Sequence, residues 1–207
     1  MELTLLTKLN IPVQRSEIIS RENLIERINI ALDRKLLLIT APAGFGKTIL
    51  VSDWVNSTDH AVAWLSLDER DNDLTRFLTY FVSALQTIEP GIGEQTQKLL
   101  AFPQTPAIEH LLSNLINQIA GIHKDIFLVL DDYHLIENAQ VNEALTFLIE
   151  NQPQQFHLLI ISREDPQLPL ARLRAYNQLA ELRQADLRFS STEAELFLNE
   201  IMNLGLS

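Results

Sequence analysis

The residue group with the most definite chemistry is Gly46-Lys47-Thr48, which ends a glycine-containing loop after an apolar run. Residues 36–50 read LLLITAPAGFGKTIL, so a buried strand, a short loop and the start of a helix are expected in that order. Such a loop brings successive backbone N–H groups and a helix N-terminus to one point, where they attract an anion. The pattern therefore predicts a phosphate-binding loop, or P-loop.

The residues of this loop have distinct expected roles. Gly44 and Gly46 let the backbone bend, and Lys47 is expected to be exposed to the β- and γ-phosphates of a nucleotide rather than to the core. The Thr48 hydroxyl is expected to bind Mg²⁺. The usual pattern begins with glycine where this chain has Ala41, which leaves an ordinary strand-to-helix turn as the alternative. The predicted nucleotide-binding residues of the loop are Ala43, Gly44, Phe45, Gly46, Lys47, Thr48 and Ile49.

Two adjacent carboxylates follow a second apolar run. Asp131 and Asp132 come directly after residues 126–130, IFLVL, and ligand sites of open α/β sheets lie at the carboxyl ends of such strands. Asp131 is expected to hold Mg²⁺, mostly through water, and Asp132 to orient or deprotonate an attacking water. The alternatives are a strand-ending turn acid for Asp131 and a solvated or capping acid for Asp132.

A third polar group ends the next apolar run. Ser162 and Arg163 follow residues 160–161, and an arginine at this sheet edge can reach a γ-phosphate and so distinguish ATP from ADP. We therefore include Arg163, with Lys47 and Asp132, among the predicted catalytic residues. A surface salt bridge is the alternative for Arg163.

The remaining acidic cluster has a simpler explanation. Asp68, Glu69, Asp71 and Asp73 follow the second predicted strand and could lie near the metal, but helix N-capping accounts for them more simply. His134 is expected to be structural or to make a minor polar contact.

These groups need a framework that brings them to one edge. Strands are predicted at residues 35–40, 61–67, 126–130, 157–161 and, more weakly, 179–183, with amphipathic helices between them. Residues 89–105 are expected to form an irregular connection with a short helix inside. Alternating strands and helices imply right-handed crossovers and a doubly wound, three-layer α/β/α parallel sheet, the fold of P-loop NTPases.

The composition of the chain argues against several classes of protein. The 207 residues carry a formal net charge of −11 and no basic cluster, so the chain by itself is a poor DNA binder. It has no cysteine, which fits a reducing compartment. The N-terminus does not resemble a signal peptide, and no apolar stretch approaches the ~20 residues of a membrane span. We expect a soluble cytoplasmic protein that does not contact membranes.

Several motifs in a fixed order resemble one family. Residues 41–48 (APAGFGKT), 62–69 (VAWLSLDE), 128–135 (LVLDDYHL), 161–163 (ISR) and 168–174 (LPLARLR) are similar to the nucleotide-binding domain of MalT-like, LuxR-type ATP-dependent transcription regulators. These regulators belong to the STAND class of signal-transduction ATPases. The resemblance runs from about residue 12 to residue 206, and an alanine at the start of the loop is normal in that family.

The resemblance implies a protein of several domains. Family members alternate between a monomeric resting form with ADP and a self-associating form with ATP, and a C-terminal domain binds DNA. It implies that residues 1–34 help form the adenine site and that residues 35–207 are the P-loop NTPase core. The winged-helix, sensor and DNA-binding domains would lie beyond Ser207. Ile19 is implied to hold the adenine and Arg21 to lie near the phosphates, although the same segment fits a helix N-terminus capped by Ser20.

The leading expectation is a Mg·ATP-binding switch domain with slow ATP hydrolysis, which controls self-association of a transcription regulator. ATP or ADP and Mg²⁺ are the expected cofactors. The alternatives are a non-hydrolysing nucleotide-binding scaffold, in which Asp132 is idle, and a DNA-processing P-loop ATPase.

Overall fold

A computed structural model describes residues 5–13, 20–101, 107–196 and 199 of the chain. Within these ranges it contains a five-stranded sheet with helices on both faces. The strands are β1 (Leu36–Thr40), β2 (Ala61–Ser66), β3 (Ile126–Asp131), β4 (Phe156–Ser162) and β5 (Leu179–Arg183). The helices are α1 (Glu22–Ile30), α2 (Lys47–Ser57), α3 (Leu74–Gln86), α4 (Glu94–Leu100), α5 (Ile108–Ala120), α6 (Ala139–Asn151), α7 (Leu170–Ala175), α8 (Gln184–Leu187) and α9 (Ser191–Leu196). None of them is long and apolar enough to cross a membrane.

The sheet is parallel throughout, in the order β2-β3-β4-β1-β5. The first crossover, through α2, carries the chain from β1 past two positions to the edge, and the last one carries it from β4 across β1 to β5. The direction of winding therefore reverses at β1, and ligands of open α/β sheets bind at such a reversal. This arrangement confirms the predicted doubly wound fold.

Successive side chains of each strand point to opposite faces of the sheet. Each face packs against its own helices and forms a separate core, so the fold has three layers. In β3, Leu128 and Leu130 face the core formed with α3 to α7, whereas Phe127 and Val129 face the core formed with α1, α2 and α8. Each strand of the sheet centre is buried on both faces, so its sequence is a continuous apolar run rather than an alternating one.

The predicted strand bounds differ from the observed ones by no more than one residue at either end, and those of β5 agree. The difference that matters is at β3, which continues to Asp131 because Asp131 pairs in register with Ser66 of β2. The carboxylate therefore projects from the last position of a strand rather than from a turn. The short helix expected within residues 89–105 is α4, and residues 102–106 lie outside the described ranges.

The described N-terminal residues fold against the rest of the chain through one buried charge cluster. Lys8 is buried and pairs with Asp68 at 3.0 Å and with Asp71, while its ammonium lies 4.6 Å from the centre of the Tyr80 ring. Asp71 also pairs with Arg76 of α3 at 3.2 Å. This cluster fixes residues 5–13 beside the outermost strand of the sheet.

Candidate active site at the carboxyl edge of the sheet

The loop between β1 and α2 has the backbone shape that was predicted for a P-loop. Gly44 and Gly46 have φ values of +87° and +72°, and a Cβ atom at either would meet no atom within 4 Å. Glycine is therefore required here for the backbone conformation and not for lack of space. The N–H groups of residues 43–46 have no hydrogen-bond partner within the described ranges, so they remain available to a ligand together with the N-terminus of α2.

Lys47 is buried rather than exposed, which corrects the expectation from the sequence. Its side chain is 9% exposed, and Nζ donates hydrogen bonds to the carbonyl oxygens of Ala41 at 2.6 Å and Pro42 at 3.0 Å. The ammonium thus lies across its own loop instead of pointing away from it. Burial, and next the charge of Arg163, lower the pKa of Lys47, while Asp132 and Asp131 oppose this shift.

Thr48 and Asp131 come from separate segments and meet directly. Thr48 Oγ1 donates a hydrogen bond to Asp131 Oδ1 at 3.1 Å, and the backbone N–H of Asp132 donates to the same oxygen at 2.9 Å. Asp131 is only 4% exposed. Its burial, and next the charge of Asp132, raise the pKa of Asp131 to about 6.

The chemistry of this pair fits a magnesium ion. Mg²⁺ prefers hard oxygen ligands and is usually bound by one or two carboxylates together with substrate phosphates. The buried carboxylate of Asp131 keeps a raised pKa because the charge of Lys47 compensates only part of the cost of burial, and a hydroxyl oxygen already lies beside it. Thr48 and Asp131 are thus the residues that would hold the ion.

Asp132 is arranged differently from its neighbour. It has φ +59°, in the left-handed region, and about half of its side chain is exposed. Its Oδ1 lies 3.8 Å from Nδ1 of His134, whose pKa is lowered by burial and next by Arg163. Asp132 therefore faces solvent at the mouth of the site, next to an imidazole whose pKa is lowered.

Arg163 follows β4 at the same edge. Its side chain is exposed, and its guanidinium has no hydrogen-bond or ion-pair partner in the part of the chain that the structure describes. Its charge acts on both Lys47 and His134, which shows that it lies near the loop. Ser162, by contrast, is buried and exchanges hydrogen bonds with the backbone of Glu164, so it shapes the turn that carries Arg163.

Of the two N-terminal candidates, the structure describes Arg21. Ile19 lies outside the described residues. The Arg21 guanidinium pairs with Glu193 at 2.9 Å and donates to the carbonyl oxygens of Leu187 and Arg188, both at 2.9 Å. A contact between Arg21 and phosphate would require these bonds to be exchanged. The alternative for this segment holds in part: a helix begins here, but its N-cap is Arg21, and the Ser20 hydroxyl donates to Asp53.

The acidic cluster after β2 has the structural role that was favoured. Asp68 and Asp71 form a reciprocal capping box around a 3-10 turn, and Asp73 caps α3 by accepting from the N–H of Arg76. Glu69 lies within that turn. These residues therefore build the start of α3.

One residue at this edge was missed by sequence reasoning. Arg183, the last residue of β5, pairs in register with Thr40 and donates to its Oγ1 at 2.7 Å, directly before the loop. Its position at the end of a predicted strand could have identified Arg183, because parallel strands bring their carboxyl ends to one edge of the sheet.

A family model described as an AAA ATPase domain matches residues 17–161. The chain belongs to the AAA ATPase domain family. This assignment confirms the P-loop ATPase prediction and is coarser than the MalT-like resemblance.

Solved structures share the fold of this AAA ATPase domain at low identity. A Walker-type ATPase of Pyrococcus abyssi matches with a TM-score of 0.55 and 14% identity, over 98% of this chain and 63% of that one. Orc1 of Aeropyrum pernix in complex with DNA matches with 0.55 and 13%, over 94% and 51%. Cdc6p of Pyrobaculum aerophilum matches with 0.53 and 14%, over 86% and 49%. The chain thus spans about half to two thirds of the length of these proteins.

Proposed function

We propose that this AAA ATPase domain is a Mg·ATP-binding switch with slow ATP hydrolysis, which controls self-association of a MalT-like transcription regulator. The observation that carries the proposal is the 3.1 Å hydrogen bond between Thr48 Oγ1 and Asp131 Oδ1. It joins the end of the glycine loop to the end of β3, where a nucleotide-bound metal ion would need both oxygens. The motif resemblance supports the regulator class.

The loop would bind the nucleotide through its backbone N–H groups and through Lys47. The free N–H groups of residues 43–46 would surround the phosphates, and Lys47 would exchange the carbonyl oxygens of Ala41 and Pro42 for phosphate oxygens. When bound, Mg²⁺ would neutralise phosphate charge. Ile49, half exposed on the first turn of α2, offers an apolar surface beside the loop.

Hydrolysis is assigned to Asp132 and discrimination between nucleotides to Arg163. Asp132 is the carboxylate at the mouth of the site and would orient the attacking water. Arg163, whose guanidinium has no partner among the described residues and whose charge acts on Lys47, would contact the γ-phosphate, which ADP lacks. We expect turnover to be slow because a half-exposed carboxylate holds a water less firmly than a fixed one.

That exposure also favours a second candidate, a nucleotide-binding scaffold that does not hydrolyse ATP. Asp132→Asn separates the two, because it preserves the backbone preference for positive φ while removing the base. A loss of turnover supports the switch with hydrolysis. No turnover in either protein supports the scaffold, and unchanged turnover would show that Asp132 is not the base.

The partners follow from the resemblance and not from the site. We propose that the longer protein self-associates when ATP is bound and contacts DNA through a separate C-terminal domain. A DNA-processing ATPase is a weaker candidate: the similar Orc1 structure is a complex with DNA, but the net charge of this chain is −11.

The test is calorimetric titration of the chain with ATP and ADP, with and without Mg²⁺. Lys47→Ala should abolish binding and keep the thermal transition, because it removes a phosphate ligand and only two hydrogen bonds. Lys98→Ala, which removes an exposed lysine paired with Glu94, is the matched control and should bind normally. Full affinity in Lys47→Ala would refute the assignment of the loop.

A further inference from the structure

The segment that carries Arg163 is held from two sides. On one side, the backbone N–H of Ala41 donates to the carbonyl oxygen of Ser162 at 3.4 Å, which ties the end of β4 to the start of the glycine loop. On the other side, Asp165, two residues beyond Arg163, is bound by the guanidinium of Arg183.

Arg183 joins three carboxylate and hydroxyl groups with one planar side chain. It binds both oxygens of Asp165, with Nη2 at 3.2 Å from Oδ2, and it also contacts Glu181. Its Nη1 donates to Thr40 Oγ1 at 2.7 Å. A guanidinium can hold two partners in a fixed relative orientation because its donors lie in one rigid plane.

We propose that Arg183 is a positioning residue for Arg163: it anchors the turn after β4 to the residue before the glycine loop. The proposal rests on the proposed function, in which Arg163 contacts the γ-phosphate. Arg183 does not itself touch the nucleotide. It fixes the distance between the loop that holds the phosphates and the turn that presents Arg163, and so it favours ATP over ADP.

The chain offers a matched control. Arg174 of α7 binds the same Glu181, with distances of 2.9 Å and 3.0 Å, but its hydrogen bonds reach neither Thr40 nor Asp165. Arg174→Gln therefore removes one arginine of α7 and its ion pair with Glu181 of β5, but it leaves the turn after β4 bound to Arg183.

The experiment measures the dissociation constants of Mg·ATP and Mg·ADP for Arg183→Gln, Arg163→Ala, the double variant and Arg174→Gln in the full chain. Arg183→Gln should weaken ATP about three- to tenfold and ADP less than about twofold, the size expected for a residue that acts through a neighbour. The double variant should be no weaker than Arg163→Ala alone, because both changes remove the same contact. Arg174→Gln should leave the ratio unchanged.

A second measurement is independent of nucleotide. Amide hydrogen exchange of residues 163–168 in the nucleotide-free chain should be faster in Arg183→Gln and unchanged in Arg174→Gln. Equal weakening of ATP and ADP, additive losses in the double variant, or unchanged exchange would each overturn the proposal. If the unaltered chain binds no nucleotide, the proposed function and the positioning role both fail. If binding depends on Lys47 but the ATP-to-ADP ratio is unaltered in Arg183→Gln, only the positioning role fails.

Discussion

Replacing Asp131 with asparagine should stabilise the nucleotide-free protein and at the same time abolish its Mg²⁺-dependent binding of ATP. Asp131 is buried at the end of β3, and burial together with the charge of Asp132 raises its pKa from 3.8 to about 6. The shift means that the folded protein resists ionisation of this group. In the folded chain without a metal ion, the charge is a cost.

The size of that cost follows from the shift. Each pH unit corresponds to about 1.4 kcal/mol, so the ionised carboxylate lowers the free energy of unfolding by about 3 kcal/mol at pH 7.5. Asparagine keeps an oxygen that can accept from Thr48 and from the N–H of Asp132, but its new amide donors need partners, which costs about 1 kcal/mol. We therefore expect a net gain of about 2 kcal/mol, or about 4–8 °C in Tm for a chain of this length.

The pH dependence has a definite sign. Because the pKa of Asp131 is higher in the folded than in the unfolded state, this group favours folding most below pH 3.8, and that contribution is lost as the pH rises to about 6. The net advantage of Asp131→Asn should therefore be about 2 kcal/mol at pH 7.5 and fall to about a third of that value at pH 5, because the cost of the amide donors does not change with pH.

The assay is thermal or urea unfolding of both proteins across this pH range, without nucleotide. Asp59→Asn is the control, because it removes the same charge from an exposed position that does not contribute to the pKa shift of Asp131, and it should change stability by less than about 0.5 kcal/mol. Equal stability of Asp131→Asn and the unaltered chain at pH 7.5, or a difference that does not shrink toward pH 5, would refute the reasoning.

Two further predictions concern stability away from the site. Gly93→Ala should destabilise the fold by about 3 kcal/mol, since its Cβ would lie 2.5 Å from Val82 Cγ1 at φ +67°. Unfolding of Gly46→Ala is the control, because this residue has φ +72° but open space around it and so gives the backbone cost alone. Equal losses of stability in the two variants would contradict the clash. Lys8→Met should lower the free energy of unfolding in urea by about 3 kcal/mol, because it leaves the charge of the buried Asp71 undercompensated. Recovery of that stability when Asp71→Asn is added would support this reasoning. A Lys8→Met variant as stable as the unaltered chain would reject it.

Local pattern was enough to predict the elements and most of the site. The apolar run before Asp131 and the loop before Thr48 each give a strand that ends in a polar residue, and parallel strands align such ends. The meeting of Thr48 with Asp131, 83 residues apart, could therefore be expected from two short segments.

Contacts between distant charged side chains could not be predicted in this way. Arg183 and Thr40 are 143 residues apart and meet only because β5 pairs with β1 rather than with β4. Strand order is decided by the crossovers, and the pattern of a single strand does not contain it. The same holds for Arg21, whose partner Glu193 is 172 residues away.

The conformation of Lys47 was missed for a different reason. A motif describes the residues as they act on a ligand, whereas the chain alone must satisfy a buried ammonium with its own carbonyl oxygens, here those of Ala41 and Pro42. The type of residue was thus predictable, and its exposure was not.

These observations link binding to stability at the site. The buried charge of Asp131 lowers the stability of the free chain, and a bound cation would compensate for it. A ligand at about 100 times its dissociation constant adds about 2.7 kcal/mol, close to the gain expected from Asp131→Asn. On the proposed function, a magnesium ion and an uncharged amide would therefore remove the same electrostatic cost, but only the carboxylate would leave the protein able to respond to nucleotide.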